Sequence, residues 1–273
     1  MTTVVVGAGS MIARALRRHP DAAGWLYLPH QQALTESGWV RDARVVINLA
    51  FDPRLKTAAY DPALDVDRRL AAILAPSSCA YIMVSTRMAY GPPGDGLRLA
   101  ETMPSNPVNY YGTAKLAAER HLLAAQGDRV TVLRLSNIFD PSEAAGERRS
   151  FFGMAMRTLA AQGRIIYDMS PFVARDFLPA DLLAERLVAV AAHPRPGMFN
   201  LGAGFAIRTG RIAQWLIGGY GAGELLVTDF REHDGFWLDM TRSMRTWNFP
   251  PVTEPMLRDA CIAAGAQLAR GDP

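Results

Sequence analysis

The chain has 273 residues, 49% of them hydrophobic and 20% charged, with a formal net charge of +3. That balance is ordinary for a globular protein and excludes a mainly disordered chain. The positive surplus is small and dispersed, and no basic run alternates with aromatics, so a nucleic-acid partner is not expected.

A β-branched run, Thr3–Val6, opens the chain as a strand and runs into Gly7-Ala8-Gly9-Ser10. Met11, Ile12, Ala15 and Leu16 then recur at helical spacing, with Arg14, Arg17 and Arg18 mostly outward, until His19-Pro20 stops the helix. Further strands are predicted at Trp25–Leu28, Arg44–Leu49, Ala80–Ser85 and Val130–Leu135. Helices fit between them at Val66–Leu74 and Tyr111–Ala125. Strands alternating with helices imply an α/β fold built on a parallel, doubly wound sheet. After Asp140 the pattern loosens: Pro141, Gly146 and Glu147-Arg148-Arg149 mark a junction. Helices are predicted over Phe151–Gln162 and Ala180–Ala192, with a returning strand at Phe199-Asn200-Leu201-Gly202. The C-terminal end reads as short helices mixed with proline-rich turns.

No uncharged apolar run approaches the length of a membrane span. The start, Met1-Thr2-Thr3-Val4-Val5-Val6-Gly7, lacks the basic residues and long apolar stretch of a signal peptide. Cys79 and Cys261 belong to no Cys-x-x-Cys pair or His/Cys cluster, which argues against zinc and for a reducing compartment. His19, His30, His121, His193 and His233 are scattered without ligand spacing. The expectation is a soluble cytoplasmic protein with no metal.

Strand, glycine-rich turn and helix form the arrangement in which backbone N–H groups face a pyrophosphate. Gly7, Gly9, Ser10, Met11 and Ile12 are therefore candidate cofactor contacts. Ser10 and Ala13 stand where further glycines belong, but both are small. An acidic residue about 20 positions after such a turn usually holds the adenosine ribose. The run Trp25-Leu-Tyr-Leu-Pro-His-Gln-Gln32 contains no Asp or Glu. A 2′-phosphate would meet no carboxylate there, and His30, Gln31 and Arg14 could approach it. NADP is favoured over NAD.

Tyr111 and Lys115 are one helical turn apart and share a face. A phenol has a pKa of about 10 and is a poor proton carrier at neutral pH, but a nearby ammonium stabilises its phenolate. Such a pair can pass a proton to or from a carbonyl or hydroxyl while hydride moves to or from a nicotinamide. Val84-Ser85-Thr86-Arg87-Met88-Ala89-Tyr90-Gly91 ends a central strand, where ligands gather in open α/β sheets.

These segments, in order, resemble the extended short-chain dehydrogenase/reductases, the family of sugar-nucleotide epimerases, dehydratases and reductases. The resemblance runs from the glycine turn through Val45-Val46-Ile47-Asn48-Leu49-Ala50, Ser85-Thr86, Tyr90-Gly91 and Tyr111 with Lys115. It continues through Leu133-Arg134-Leu135-Ser136-Asn137-Ile138-Phe139-Asp140-Pro141, Arg175-Asp176-Phe177 with Asp181, and Phe199-Asn200-Leu201-Gly202.

The resemblance implies a Rossmann domain over 1–140 and a mainly substrate-binding region over 141–273, some of whose segments return to the first. It implies Thr86, Tyr111 and Lys115 as catalytic residues, with Lys115 also on the nicotinamide ribose. Leu49 and Ala50 join the cofactor contacts. Asn137 lies near a nucleotide sugar, Arg175 and Arg231 hold its diphosphate or else form structural salt bridges, for instance with Asp176 or Asp234, and Ser85 is structural. A homodimer is expected by the same resemblance. Family dehydratases carry an Asp-Glu pair where this chain has Arg87-Met88, and neither of these side chains can exchange the extra proton. Reduction of a 4-keto sugar nucleotide is the favoured activity. A 4-epimerase and a non-catalytic dinucleotide sensor are the alternatives. Sugar, base and stereochemistry stay open at this level.

Overall fold

The computed structural model describes residues 2–93, 97–142, 150–232 and 234–271. Gly146, Glu147, Arg148, Arg149 and His233, singled out above, lie outside the described residues.

In chain order, β1 (Thr2–Val6) leads into α1 (Met11–Arg18), β2 (Leu26–Leu28) into α2 (His30–Thr35), and β3 (Ala43–Asn48) into α3 (Val66–Leu74). β4 (Ala80–Thr86) and the short β5 (Arg98–Leu99) precede α4 (Tyr110–Gln126). β6 (Val130–Leu135) and β7 (Asn137–Phe139) are followed by α5 (Phe151–Gln162), β8 (Arg164–Tyr167), β9 (Ala174–Arg175), β10 (Phe177–Pro179) and α6 (Ala180–Ala192). Then come β11 (Gly197–Leu201), β12 (Ile207–Arg208), α7 (Thr209–Tyr220), β13 (Glu224–Val227), β14 (Trp237–Leu238), α8 (Thr241–Trp247) and α9 (Glu254–Arg270).

Six strands form the central sheet in the order β11-β6-β4-β3-β1-β2, and every neighbouring pair is parallel. Alternate residues of each strand serve opposite faces. Val4, Val6, Val46 and Met83 pack with Leu70 and Leu74 of α3 and Leu122 of α4. Val5, Ile47, Ile82 and Leu133 pack on the other face with Leu16 of α1 and Leu183 and Leu187 of α6. Full burial of each such side chain contributes roughly 1.5–3 kcal/mol. This two-faced burial is why the strands read as continuous apolar runs rather than alternating ones.

The order of strands turns back between β1 and β3, so a crevice opens beyond their C-terminal ends. On the β2 side the sheet is one strand short of the longer 3-2-1-4-5-6 order. The link from β2 to β3 holds only α2 and a 3₁₀ turn at Gly38–Asp42.

The C-terminal end corrects the sequence expectation. α9 is a continuous helix of 17 residues, with Pro255 in its first turn. Proline is tolerated there because its missing N–H has no helical partner anyway. α7 and α9 cross at close range, and a side chain at Gly219 or Gly265 would collide with the backbone of Ile262 or of Leu216.

Candidate active site

The cleft lies at the C-terminal edge of the sheet, with a volume of about 450 Å³. Its near wall is built by β4 and α4. Thr86 ends β4, and its Oγ1 accepts a hydrogen bond from Met88 N at 3.2 Å, which starts the 3₁₀ turn Arg87–Ala89. The Thr86 hydroxyl proton stays available to a bound oxygen. Asn109 caps α4 by accepting from Gly112 N at 2.8 Å. A side chain at Gly112 would strike the Met88 carbonyl, so only glycine lets α4 come this close to the β4 turn. Thr86, Tyr111 and Lys115 thereby line one cleft.

Tyr111 packs edge-on against Phe51, ring centroids 4.9 Å apart, and Lys56 Nζ lies 5.6 Å from its ring centroid. Neighbouring Tyr110 is 53% exposed, and it is Tyr111 that lines the cleft. Tyr90 donates to Asn200 Oδ1 at 2.7 Å, and burial pushes its pKa up to about 12, which leaves it a structural phenol. Lys115 is buried; its Nζ donates to Val84 O at 2.9 Å and Asp67 Oδ2 at 3.3 Å. Burial alone would lower its pKa, but Asp67 and then Tyr111 hold it above the ordinary lysine value.

A second buried pair fixes α4 to the sheet. Glu119 meets Arg134 of β6 at 2.5 Å and accepts the hydroxyl of Ser85. Ser85 lines the cleft but spends its proton on that contact.

The side expected from sequence to take a cofactor is built by the β1–α1 turn. Gly7 has φ +98°, and a side chain there would press on the backbone of Ala50 at 3.0 Å. Gly7 and Ala50 thus sit back to back behind the cleft, while Gly9 faces open space. Ser10, Met11, Ile12 and Leu49 line it. Ser10 caps α1 by accepting from Ala13 N at 3.1 Å. A turn of small residues at the positive end of a helix fits a dinucleotide pyrophosphate. When bound, the nicotinamide supplies or takes hydride.

The residues expected from sequence to meet a substrate are more scattered. Asn137 lines the cleft, and its Nδ2 is buried with no hydrogen-bond partner among the described residues. Arg87 lines the cleft as well, stacked 4.2 Å from the Phe236 ring centroid and paired with Asp234 Oδ2 at 2.5 Å. Arg175 reaches the same Asp234 oxygen at 3.4 Å and lies 5.7 Å from the ring centroid of Phe151, a lining residue. Burial holds the Arg175 pKa below its ordinary value; Asp234 offsets this in part, while the Arg87 charge adds to it. Arg231 is not brought to this wall. Its side chain is 78% exposed and paired with Asp229.

Asp67, Glu119, Phe51 and Lys56 were not singled out from sequence, whereas Asp234 was named as a possible salt-bridge partner of Arg175 and does meet it. Glu119 follows Lys115 by one helical turn, a spacing that could have revealed it. Nothing local links Asp67 to the cleft. Burial pushes the thiols of Cys79 and Cys261 up to about 11 and about 12. Among the described residues no helix is long and apolar enough to cross a membrane.

Fold and cleft together define a Rossmann-type α/β protein with a cleft at the C-terminal edge of its parallel sheet. The chain belongs to the NAD dependent epimerase/dehydratase family, whose model matches residues 5–202. It is 30% identical over 219 residues to a dTDP-4-dehydrorhamnose reductase of Mycolicibacterium smegmatis (strain ATCC 700084 / mc(2)155). That match covers 75% of this chain, and the chain spans only 65% of the relative's own length. A UDP-N-acetylglucosamine 4-epimerase from Methanobrevibacter ruminantium M1, in complex with UDP-N-acetylmuramic acid, superposes with a TM-score of 0.82 over 98% of both chains, at 14% identity. RMD from Pseudomonas aeruginosa, complexed with NADPH, superposes with a TM-score of 0.79 over 99% of this chain and 100% of that one, at 20% identity. These two likenesses are of fold.

Proposed function

We propose that the chain is an NAD(P)-dependent oxidoreductase that reduces the 4-keto group of a nucleotide-linked sugar. The observation that carries this is the convergence of Thr86, Tyr111 and Lys115 in one cleft beside the β1–α1 turn, with Arg87 and Met88 as the next side chains. Tyr111 would give its proton to the ketone oxygen, Thr86 would hold that oxygen, and Lys115 would support the phenolate left behind. Neither Arg87 nor Met88 can remove a second proton, so dehydration lacks its base.

Asn137, Arg175 and Arg87 are assigned to the nucleotide sugar, and Arg231 to its diphosphate if it turns inward. Gly7, Gly9, Ser10, Met11, Ile12, Leu49 and Ala50 are assigned to the cofactor. The proposal includes a cytoplasmic homodimer, by family resemblance.

NADP is the proposed cofactor, the one RMD binds in reduced form. A second cavity of about 520 Å³, beyond β2 and β3, is lined by His30, Gln31, Asp52, Arg54 and Arg69. The expectation of no carboxylate near a 2′-phosphate needs one amendment. Asp52 enters this cavity, already paired with Arg54 at 2.6 Å. A 2′-phosphate would compete with Asp52 for that guanidinium and find Arg69 beside it.

The 4-epimerase alternative needs the same three catalytic residues and a retained cofactor. Incubation with 4-keto and hydroxy sugar nucleotides, followed by mass spectrometry, separates the cases. A gain of two hydrogens with NADPH consumed supports the reductase. An unchanged mass with inverted stereochemistry supports the epimerase. Loss of one water as the main reaction refutes both.

A further inference from the structure

We propose that Asp67 is a positioning residue of the catalytic pair: its buried carboxylate aims the Lys115 ammonium and keeps it charged from behind the cleft wall. The catalytic half of this inference rests on the proposed acid/base role of Tyr111 and Lys115; the pairing itself does not.

The side chains of Asp67 and Lys115 are 2% and 4% exposed. An isolated carboxylate at such depth would take up a proton rather than stay charged. Asp67 is instead ringed by donors. Its Oδ1 accepts from Asn48 Nδ2 at 2.7 Å and from the Tyr81 hydroxyl at 2.8 Å, and its Oδ2 faces Lys115 Nζ. Asn48 ends β3, Tyr81 lies in β4, Asp67 in α3 and Lys115 in α4. Four elements therefore converge on one buried ion pair, with Asn48 and Tyr81 fixing the carboxylate that meets the amine.

The orientation follows from counting donors. A lysine ammonium has three N–H bonds. Val84 O and Asp67 Oδ2 take two of them on the protein side. One is left for the cleft that Lys115 lines. Asp67 thus fixes which proton faces the ligand.

The charges around Lys115 set the sign of the effect. Asp65, capping α3 and bonded to the Tyr60 hydroxyl at 2.7 Å, adds a second negative charge nearby. Tyr111 contributes from α4, and Lys56 stands beyond the Tyr111 ring. The Phe51 ring centroid lies 5.1 Å from Lys115 Nζ. Against burial, Asp67 is the charged group in hydrogen-bond contact that favours the charged amine.

Lys56 and Lys115 are the chain's lysines, so lysine labelled with ¹³C at Cε gives a simple spectrum, and Lys56→Arg assigns it. In the ligand-free wild type, Lys115 should still be protonated at about pH 10, close to the midpoint of free lysine. A wild-type midpoint well below free lysine, as burial alone would produce, overturns the pairing without any variant. In Asp67→Asn the midpoint should fall by about one pH unit or more, and Asp67→Glu should restore most of it. Identical midpoints in wild type and Asp67→Asn would also overturn it. The alkaline limb of kcat should move down in Asp67→Asn alongside the NMR midpoint; an unmoved limb removes Asp67 from catalysis. If the midpoint moves but no nucleotide sugar is turned over by the wild type, the pairing stands and the proposed function fails.

Discussion

The two walls of the cleft balance charge differently. On and behind the sheet wall two buried cations each have their own carboxylate: Lys115, which lines the cleft, faces Asp67, and Arg134 behind it faces Glu119. On the substrate wall Arg87 and Arg175 share the single carboxylate of Asp234, which is one-third exposed. A balanced buried pair fixes geometry and has little to gain from a further ion. Two guanidiniums on one carboxylate leave donors and positive charge for an incoming anion. The sheet wall is therefore suited to proton transfer, and the other wall to holding an anionic substrate.

The largest expected effect breaks the sheet wall alone. Tyr111→Phe removes the phenolic proton and keeps the ring that packs on Phe51. Turnover should fall by roughly 10²–10⁴-fold, the usual span of general acid–base catalysis. Cofactor binding, measured by fluorescence titration, should barely change. Rates like the wild type's would take the proton-transfer role away from this wall.

Next in size is the substrate wall. Arg175→Ala should weaken nucleotide-sugar binding by about 1.5–3 kcal/mol, as for other charge-assisted hydrogen bonds. Cofactor affinity should hold. Calorimetric titration of both ligands checks this. Equal losses for the two would mean that removing a buried partner of Asp234 has loosened the whole fold, and the contrast between the walls would go with it.

The walls also differ in how well the sequence reveals them. β6, α1, α3, α5 and α6 lie at the predicted bounds, and the other predicted strands and helices shift by a residue or two at their ends. Their apolar periods are strong and their stops are explicit. Tyr111, Lys115 and Thr86 were legible because helical spacing and strand ends are local properties. Asp67 is not: it reaches Lys115 across 48 residues of chain. Asp234 meets Arg87 across 147, with φ +61° in a loop without periodicity. α7 and α9 hid for another reason. Gly218, Gly219 and Gly265 look like helix breakers, yet Gly219 and Gly265 are what allow the two helices to touch.

The smallest expected effect concerns Arg231, which resemblance groups with Arg175 and geometry separates from it. Arg231 bonds Asp229 through both its side chain and its backbone N–H, the latter at 3.0 Å. Those two contacts hold the Asp229 carboxyl below its usual pKa. Exposed pairs of this kind contribute little, and a guanidinium must leave Asp229 before it can reach a diphosphate. Arg231→Ala should therefore weaken nucleotide-sugar binding by no more than about fivefold in Kd, the upper end for an exposed pair. Any loss should shrink further as salt is raised. Asp229→Asn sharpens the comparison, because it frees Arg231 without removing it. If Arg231 turns inward to the diphosphate, that variant should bind the nucleotide sugar more tightly than wild type. If Arg231 stays at the surface, it should change nothing. A loss in Arg231→Ala as large as that in Arg175→Ala would place both arginines on one wall and cancel the distinction drawn between them.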